Sequence, residues 1–239
     1  MDGIKEKVMS LYAMGDFHLN FGCDRSMDQY GDIWVGHEKR IEKYIRKYVK
    51  DDDTLVITGD HTKGYKMREA LPDLEFIATL PGRKILLRGN HDTFWKSGKT
   101  ENLNKEFDGK LFFLQDNFYT YGDYALVGSK GYCYEGKDTY EHFLKIRDRE
   151  MERLQTSIDK AREGGYDKFI MFLHYPPTTI GEEESPFTLL AEKIHARMVV
   201  YSHCHGDARF YDSFHGMVNG VEYKLVSSDF LKFKPLKLC

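Results

Sequence analysis

Seven candidate metal ligands lie in five short runs of the chain. The runs are GDFH at 15–18, GD at 59–60, GNHD at 89–92, a histidine at 174 and SHCH at 202–205. Their two carboxylates, one amide and four imidazoles suit borderline divalent ions such as Mn, Fe, Co, Ni or Zn better than Ca or Mg. The candidate ligands are Asp16, His18, Asp60, Asn90, His174, His203 and His205.

Two ions are predicted, because one ion cannot use seven ligands. If both ions share Asp60, the set supplies four ligands to each of them. Two divalent ions contribute about +4 and the two carboxylates about −2, so the site would attract an anionic phosphoryl group. A water shared by the ions can lose a proton and attack phosphorus in line.

A proton donor for the leaving oxygen is predicted beside this ligand set. His91 follows Asn90 but is not counted among the ligands, so its imidazole is left for acid–base chemistry. Asp92 comes next, and we predict that it orients His91 or raises its pKa.

Each of the five runs follows an apolar segment that reads as a β-strand. The first strand is predicted at about 8–14, and the others at 54–58, 84–87, 168–173 and 198–201. Predicted helices over 37–50 and 66–80 separate the first three strands, which indicates a parallel sheet. Because ligands in α/β folds bind at the carboxyl ends of strands, we expect the five runs to meet in space.

The middle and the end of the chain add antiparallel pairing to this pattern. Segments 110–114, 118–121 and 124–128 are predicted strands, and the Gly122-Asp123 and Asn219-Gly220 pairs mark hairpin turns. A charged helix is predicted over 138–163. These features predict an α/β fold in which two mixed sheets pack face to face with helices outside, a four-layer α/β/β/α sandwich. No repeat or linker divides the chain, so residues 1–239 are expected to form a single domain.

Composition narrows the class of partner. The 239 residues are 41% hydrophobic and carry a net charge of −3, so nothing favours nucleic acid as a partner. There is no apolar run long enough for a membrane span and no signal-peptide pattern, so no membrane partner is expected. Four scattered cysteines without a CxxC pair indicate the reducing cytoplasm. The composition carries no indication of the oligomeric state.

The five runs GDFH, GD, GNHD, His174 and SHCH resemble, in this order along the chain, the sequence blocks of the calcineurin-like metallophosphoesterase superfamily. The resemblance covers residues 15–205. The flanks LPGRKILLRGNHD and VSSDFLKFKP resemble a bacterial group of uncharacterised predicted phosphohydrolases. The resemblance implies that His91 contacts the scissile phosphate. It also implies one ion held by Asp16, His18, Asp60 and His205, and a second held by Asp60, Asn90, His174 and His203.

The activity that follows is hydrolysis of a phosphomonoester or phosphodiester by direct attack of the water between the ions, with Mn or Fe favoured. Two alternatives remain at this stage, a catalytically silent scaffold with the same fold and a metal-dependent nuclease. The chain departs from the superfamily pattern at two positions. Ser202 replaces the usual glycine of the last block and is expected to be tolerated, and His61 follows the second Gly-Asp and is expected to contact a ligand loop or the substrate.

Several nearby residues have a structural interpretation that we prefer. Cys204 lies between two ligands, but alternation along the chain predicts that it points into the core. Trp34 and Trp95 are expected to pack in the core, with a wall of the active cleft as the alternative for Trp95. The basic residues of helix 138–163 are expected to form ion pairs on a solvated surface, rather than a phosphate clamp.

Overall fold

Two β-sheets form the framework that carries the candidate ligands. The computed structural model describes residues 9–96 and 98–239. Its strands are β1 (Leu11–Ala13), β2 (Thr54–Ile57), β3 (Arg83–Leu87), β4 (Leu111–Leu114), β5 (Tyr119–Tyr121), β6 (Tyr124–Ser129), β7 (Lys168–Leu173), β8 (Met198–Tyr201), β9 (Gly216–Val218), β10 (Val221–Leu225) and β11 (Leu236–Lys237). Its α-helices are α1 (His37–Tyr48), α2 (Met67–Thr79), α3 (Thr100–Glu106), α4 (Tyr140–Glu163), α5 (Pro186–Lys193) and α6 (Asp207–Tyr211).

Both sheets are mixed, as the sequence predicts. The first has the order β11-β1-β2-β3-β4, in which β1 to β4 run parallel and β11 is antiparallel to β1. The second has the order β5-β6-β7-β8-β10-β9, with a parallel centre and an antiparallel hairpin at each edge. The two hairpins turn at the predicted Gly122-Asp123 and Asn219-Gly220 pairs.

Alternating side chains along the strands build three apolar layers. Val56 of β2 and Phe172 of β7 belong to the same buried cluster between the sheets. Leu55 and Ile57 face the other way, into the cluster that also contains buried residues of α1, α2 and α3. Met171 likewise faces the cluster that includes residues of α4 and α5. Because a strand buried on both faces needs an apolar residue at every position, these strands read as continuous apolar runs. The predicted four-layer α/β/β/α arrangement is confirmed.

The predicted elements are present, with some differences in length. The first strand is observed as β1, and Val8 of its predicted span lies outside the described residues. The short elements α3, α6 and β11 were not predicted, because pieces of two to seven residues have too few positions to show a periodicity. Within the described ranges, no helix combines the length and the apolar character that a membrane span requires.

The two sheets meet where the ligand-bearing loops leave them. Past the end of β1, the Gly15 amide donates a hydrogen bond of 2.8 Å to the Val226 carbonyl, just past β10. The Ser202 hydroxyl, past β8, donates to the Thr58 carbonyl, past β2, at 2.8 Å. The carboxyl ends of strands from both sheets therefore share one edge, and the five polar runs are brought together there.

Candidate metal centre

The structure brings all seven predicted ligands into one cluster. Asp16, His18 and His205 form one group of possible ligand atoms, and Asp60, His174 and His203 form a second. Within each group the ligand atoms lie within 4.8 Å of one another. Asn90 joins the second group, since its Oδ1 lies 2.7 Å from His174 Nε2. The division is the one that the family resemblance implies, with Asp60 as the ligand to be shared.

Four of the ligand residues adopt the left-handed backbone conformation, which residues other than glycine rarely take. Their φ angles are 58° at Asp16, 45° at His18, 54° at Asp60 and 72° at His203. Such backbone costs on the order of 1 kcal/mol or more per residue and persists only where neighbours hold it. Here, loops hold one another, since the amides of Asp16 and His18 donate to the carbonyls of Gly59 and Asp60 at 2.9 Å.

Glycines in two of the motifs allow these loops to approach closely. A β-carbon at Gly89 would overlap the Asp60 carboxylate and its backbone amide. One at Gly15 would overlap the side chains of Thr58 and Ser202. The serine that replaces the usual glycine of the last block is therefore accommodated against a glycine on the facing loop. Its hydroxyl binds the Thr58 carbonyl, so the predicted tolerance has a physical basis.

His174 shows most clearly why a cation fits this site. Burial lowers the pKa of His174 to about 3, so its imidazole is neutral. Its Nδ1 lies 2.9 Å from the Thr58 carbonyl and must donate there, which leaves Nε2 with a lone pair. That lone pair faces Asn90 Oδ1 at 2.7 Å, His203 Nδ1 at 3.2 Å and Asp60 Oδ2 at 3.5 Å. Because acceptors repel one another without a positive charge between them, the arrangement fits a bound cation.

The first group shows the same convergence. His18 Nε2 and His205 Nε2 lie 3.4 Å apart, and His205 Nε2 is 3.9 Å from Asp16 Oδ1. Asp16 Oδ1 is buried and accepts no hydrogen bond, which is costly for a carboxylate unless a cation is present. Two imidazole nitrogens bound to one tetrahedral ion, each about 2.1 Å from it, lie about 3.4 Å apart. The donor set and its spacing therefore fit a divalent ion in each group.

Carboxylates that the sequence did not single out fix two of the imidazoles. His203 Nε2 donates to Glu135 Oε1 at 3.1 Å, which leaves Nδ1 for the ion. His205 Nδ1 donates to Asp229 Oδ1 at 2.9 Å, which leaves Nε2 for the other ion. Burial opposes charge on His205, but Asp16 and Asp229 outweigh it and raise the pKa of His205 to about 9. An ion would therefore take the place of a proton there.

The Asp60 carboxylate lies between the two groups. Its Oδ2 is 3.7 Å from His18 Nε2 and 3.5 Å from His174 Nε2, so it faces one imidazole of each group. Its Oδ1 accepts a hydrogen bond of 2.8 Å from the amide of His91. This bond fixes the plane of the carboxylate and directs the other oxygen to the space between the groups.

His91 lies beside the cluster and stays open to solvent. Its Nε2 is 4.0 Å from Asp60 Oδ2, and its side chain is 40% exposed. Its ring lies edge-on to that of His18, with the centroids 5.3 Å apart. Burial lowers the pKa of His91, although the nearby Asp60 carboxylate opposes that effect. The imidazole is thus placed beside the ligands without being one of the converging acceptors.

Of the two roles that the sequence predicts for Asp92, the structure supports the effect on the pKa of His91 and not the orientation of its ring. Its carboxylate is fully buried and accepts hydrogen bonds from the amides of Asp60, His61 and Gly89 at 2.8–2.9 Å. Its Oδ2 also lies 2.9 Å from Nδ1 of His61, which is itself fully buried. Asp92 therefore ties the GD loop to the GNHD loop, and only its charge acts on His91, whose pKa it raises. It positions Asp60 and is not a hydrogen-bonding partner of His91.

The remaining residues near the cluster pack as structural elements. Cys204 is buried in the outer core of the second sheet, as predicted. Trp34 is buried, with its ring 5.9 Å from that of His18 and 5.5 Å from that of His205. Trp95 is fully buried and packs on Phe113 at 4.9 Å, so the alternative of a cleft wall is wrong.

Two cavities open on either side of His91. The first, of about 360 Å³, is lined by His18, Met27, Tyr30, Ile33, Trp34, Asp60, Lys63, His91, His205, Gly206 and Asp229. The second, of about 300 Å³, is lined by Asn90, His91, Tyr132, Cys133, Tyr134, Glu135, Lys137, Asp138, Phe143, Tyr175 and His203. The basic residues of α4 line neither of them. Arg147 pairs with the exposed Asp148 at 2.6 Å, as expected for a solvated surface, whereas the pair of Arg153 with Glu150, at 2.8 Å, is buried, which was not expected.

The hydrogen bonds of Glu135 and Asp229 to the candidate ligand imidazoles can be tested by mutation. We expect Asp229→Asn to lower the affinity for the ion at His205 by about 10–100-fold. The reason is that the neutral amide replaces the anionic acceptor that fixes the tautomer of His205. Glu135→Gln is expected to lower the affinity for the other ion by a similar factor, because Glu135 fixes the tautomer of His203 in the same way. Metal affinity is measured by competition with a chromophoric chelator.

The matched control is Asp212→Asn, which makes the same change at an exposed position on the carboxyl side of α6. The assigned tautomers would be contradicted if Asp229→Asn and Glu135→Gln bound metal as tightly as the control does, with unchanged melting temperatures.

Comparison with solved structures identifies proteins of similar fold. The phosphopantetheinyl hydrolase PptH from Mycobacterium tuberculosis is 14% identical, with a TM-score of 0.57 over 96% of this chain and 95% of that chain. The protein TT1561 of Thermus thermophilus is 13% identical, with a TM-score of 0.58 over 96% and 98%. The Aquifex aeolicus protein of unknown function AQ665 is 18% identical, with a TM-score of 0.46 over 96% and 95%.

Comparison at the level of sequence families gives the family itself. No curated protein matches the chain. The model of the calcineurin-like phosphoesterase family, however, matches residues 9–207, a span that contains all five ligand-bearing runs. The chain therefore belongs to the calcineurin-like phosphoesterase family.

Proposed function

We propose that this protein is a phosphoric ester hydrolase that depends on two divalent transition-metal ions and acts on a small phosphomonoester or phosphodiester. The observation that carries the proposal is the double convergence of buried acceptor atoms, with Asp60 Oδ2 between the two groups. Two buried groups of neutral and anionic donors around a shared carboxylate suit a pair of cations, and a pair of cations suits a phosphoryl anion.

The ligands divide between the two ions as the family resemblance implies. Asp16, His18 and His205 hold one ion, whereas Asn90, His174 and His203 hold the other, and Asp60 serves both. The mixture of imidazole, carboxylate and amide supports Mn or Fe over Ca or Mg. When bound, the ions supply Lewis acidity, which lowers the pKa of water and stabilises charge that develops on the phosphoryl oxygens.

His91 is the side chain that we assign to the chemistry of the leaving group. It lines both cavities, so an ester bound across the ligand cluster contacts its imidazole. A phosphoryl anion beside the ring favours the protonated form, which offsets the effect of burial on its pKa. His91 then donates a proton to the departing oxygen, while its backbone amide holds Asp60 in place.

The two alternatives are supported less well. A silent scaffold is disfavoured because each proposed ligand is present, and Asp60, His174, His203 and His205 are each oriented by a hydrogen-bonding partner. A nuclease is disfavoured because, among the residues that the structure describes, Lys63 alone brings an ammonium or guanidinium group to the first cavity. Lys137, in the second cavity, is paired with Glu135 at 3.1 Å. The four cysteines are thiols, which supports the cytoplasm as the location that we propose.

Loss of Asp60 is expected to empty both sites, because its carboxylate is the one that we assign to both ions. Elemental analysis of wild-type protein should give close to two transition-metal equivalents per chain after equilibration with Mn²⁺ and gel filtration. Asp60→Asn should retain fewer than one, and His18→Ala should retain about one.

Asp108→Asn, an exposed substitution of the same type, is the control and should retain two. Two equivalents in Asp60→Asn would show that the carboxylate does not bind both ions, and one equivalent in the wild type would reject the pair.

The hydrolytic function is tested with wild-type protein and His91→Ala on model esters. The Mn²⁺-loaded wild type should turn over 4-nitrophenyl phosphate or bis(4-nitrophenyl) phosphate. His91→Ala should keep both metals and lose about 10²–10⁴-fold in kcat with phenyl phosphate, the usual scale for removal of a general acid. The loss should be smaller with 4-nitrophenyl phosphate, because its leaving group needs little protonation.

Metal-loaded wild type without turnover of either ester would favour the silent scaffold. Equal losses with the good and the poor leaving group would show that His91 acts in another way than as a proton donor.

A further inference from the structure

The cavity between the ligand cluster and the loop 21–36 contains a buried cation that the proposed reaction does not use. We call this 360 Å³ space, whose lining is given above, the Lys63 cavity. The Lys63 side chain belongs to a residue that is only 8% exposed, and the loop that carries it follows directly from Asp60. The cavity thus contains the ends of His18, Asp60 and His205 together with one ammonium group.

The backbone around Lys63 is fixed, whereas its ammonium group is not neutralised. Its amide donates to the Leu19 carbonyl and its carbonyl accepts from Arg25 Nε, both at 2.7 Å. Its Nζ lies 5.5 Å from the centre of the Tyr30 ring, a cation–π contact. Within the described ranges, Nζ has no hydrogen bond and no carboxylate within 4.0 Å. Burial lowers the pKa of Lys63, although the more distant Asp60 carboxylate opposes that effect. A cation held this way attracts an anion from solution.

Neighbouring charges leave Lys63 as the group available to a ligand. The guanidinium of Arg25 is paired with the Glu69 carboxylate, so it is already neutralised. In the second cavity, Lys137 is paired with Glu135, and Asp138 adds a further carboxylate. Asp60 and Asp229 also line the Lys63 cavity, but Asp60 is a proposed metal ligand and Asp229 is paired with His205 at 2.9 Å. An anionic substituent of the substrate is therefore attracted to the Lys63 ammonium group rather than to the second cavity.

The opposite wall of the Lys63 cavity is apolar. Met27 and Trp34 are buried in it, and Tyr30 and Ile33 are 60% and 41% exposed at the surface. Exposed apolar side chains beside a cavity favour a ligand that covers them. The volume of 360 Å³ lies at the lower end of the range for small-molecule sites, so the fitting group is of the size of one ring with short substituents.

We propose that the Lys63 cavity binds the leaving group of the substrate, and that this group has an apolar, ring-sized body and a second negative charge that pairs with the Lys63 ammonium. The inference rests on the proposed function for the placement of the phosphoryl group at the ligand cluster. It deepens that function by naming the substrate as a small organic phosphoester with a second anionic group.

The test uses two non-hydrolysable ligands that differ in one charge. These are 4-carboxybenzylphosphonate and its neutral analogue 4-carbamoylbenzylphosphonate, titrated by calorimetry into Mn²⁺-saturated protein. The wild type should bind the carboxylate about 10-fold or more tightly than the amide, the scale of a charged hydrogen bond. Lys63→Met should remove this preference, and Lys63→Arg should keep most of it.

Lys66→Met removes a positive charge from an exposed position on the same loop and should leave the preference unchanged. Equal weakening of both ligands by Lys63→Met would overturn the inference, since Lys63 would then act on the phosphonate that they share. Absence of any preference in the wild type would overturn it as well.

Turnover of 4-carboxyphenyl phosphate and 4-carbamoylphenyl phosphate separates this inference from the proposed function. If the wild type cleaves both esters without a preference for the carboxylate, the inference fails and the hydrolase stands. If it cleaves neither ester but binds the carboxylate ligand more tightly through Lys63, the hydrolase fails and the cavity assignment stands.

Discussion

The repulsion between acceptor atoms that face one another in a largely buried cluster is the constraint on which the rest of the structure depends. Asn90 Oδ1, His174 Nε2, His203 Nδ1 and Asp60 Oδ2 converge with no donor between them. Such an arrangement is unfavourable in a core of low dielectric constant unless a cation occupies its centre. The left-handed backbone at four ligands and the glycines that admit close loops both hold these atoms in place against that repulsion.

Four of the candidate ligands, Asp60, His174, His203 and His205, are each oriented by a partner that leaves one atom free to bind an ion. His174, His203 and His205 each donate one ring N–H, to Thr58, Glu135 and Asp229 respectively. The amide of His91 donates to one oxygen of Asp60. Asp92, buried below the loops, holds three amides at once. These contacts hold the candidate ligands in place without belonging to the ligand set themselves, so less of the free energy of metal binding would be spent on ordering the loops.

The fold and the clustering of the candidate ligands were predictable because their signals are local. Each of the five runs follows a strand that is apolar at every position, and the runs occur in a recognisable order. The partners of the ligands were not predictable in this way. Glu135 lies 68 residues from His203, and Asp229 lies 24 residues from His205. Both lie in loops, where no periodicity indicates the direction of a side chain. The contacts of Asp92 with the amides of Asp60, His61 and Gly89 were not predictable either, because two of these residues are distant in sequence. Its effect on the pKa of His91 was predicted.

The most direct test of the central claim is anomalous diffraction from crystals grown with Mn²⁺, recorded on both sides of the manganese absorption edge. The account predicts two adjacent anomalous peaks, one within bonding distance of Asp16, His18 and His205, and the other within bonding distance of Asn90, His174 and His203. Asp60 should contact both peaks. A single peak, or a peak that none of these side chains contacts, would contradict the account.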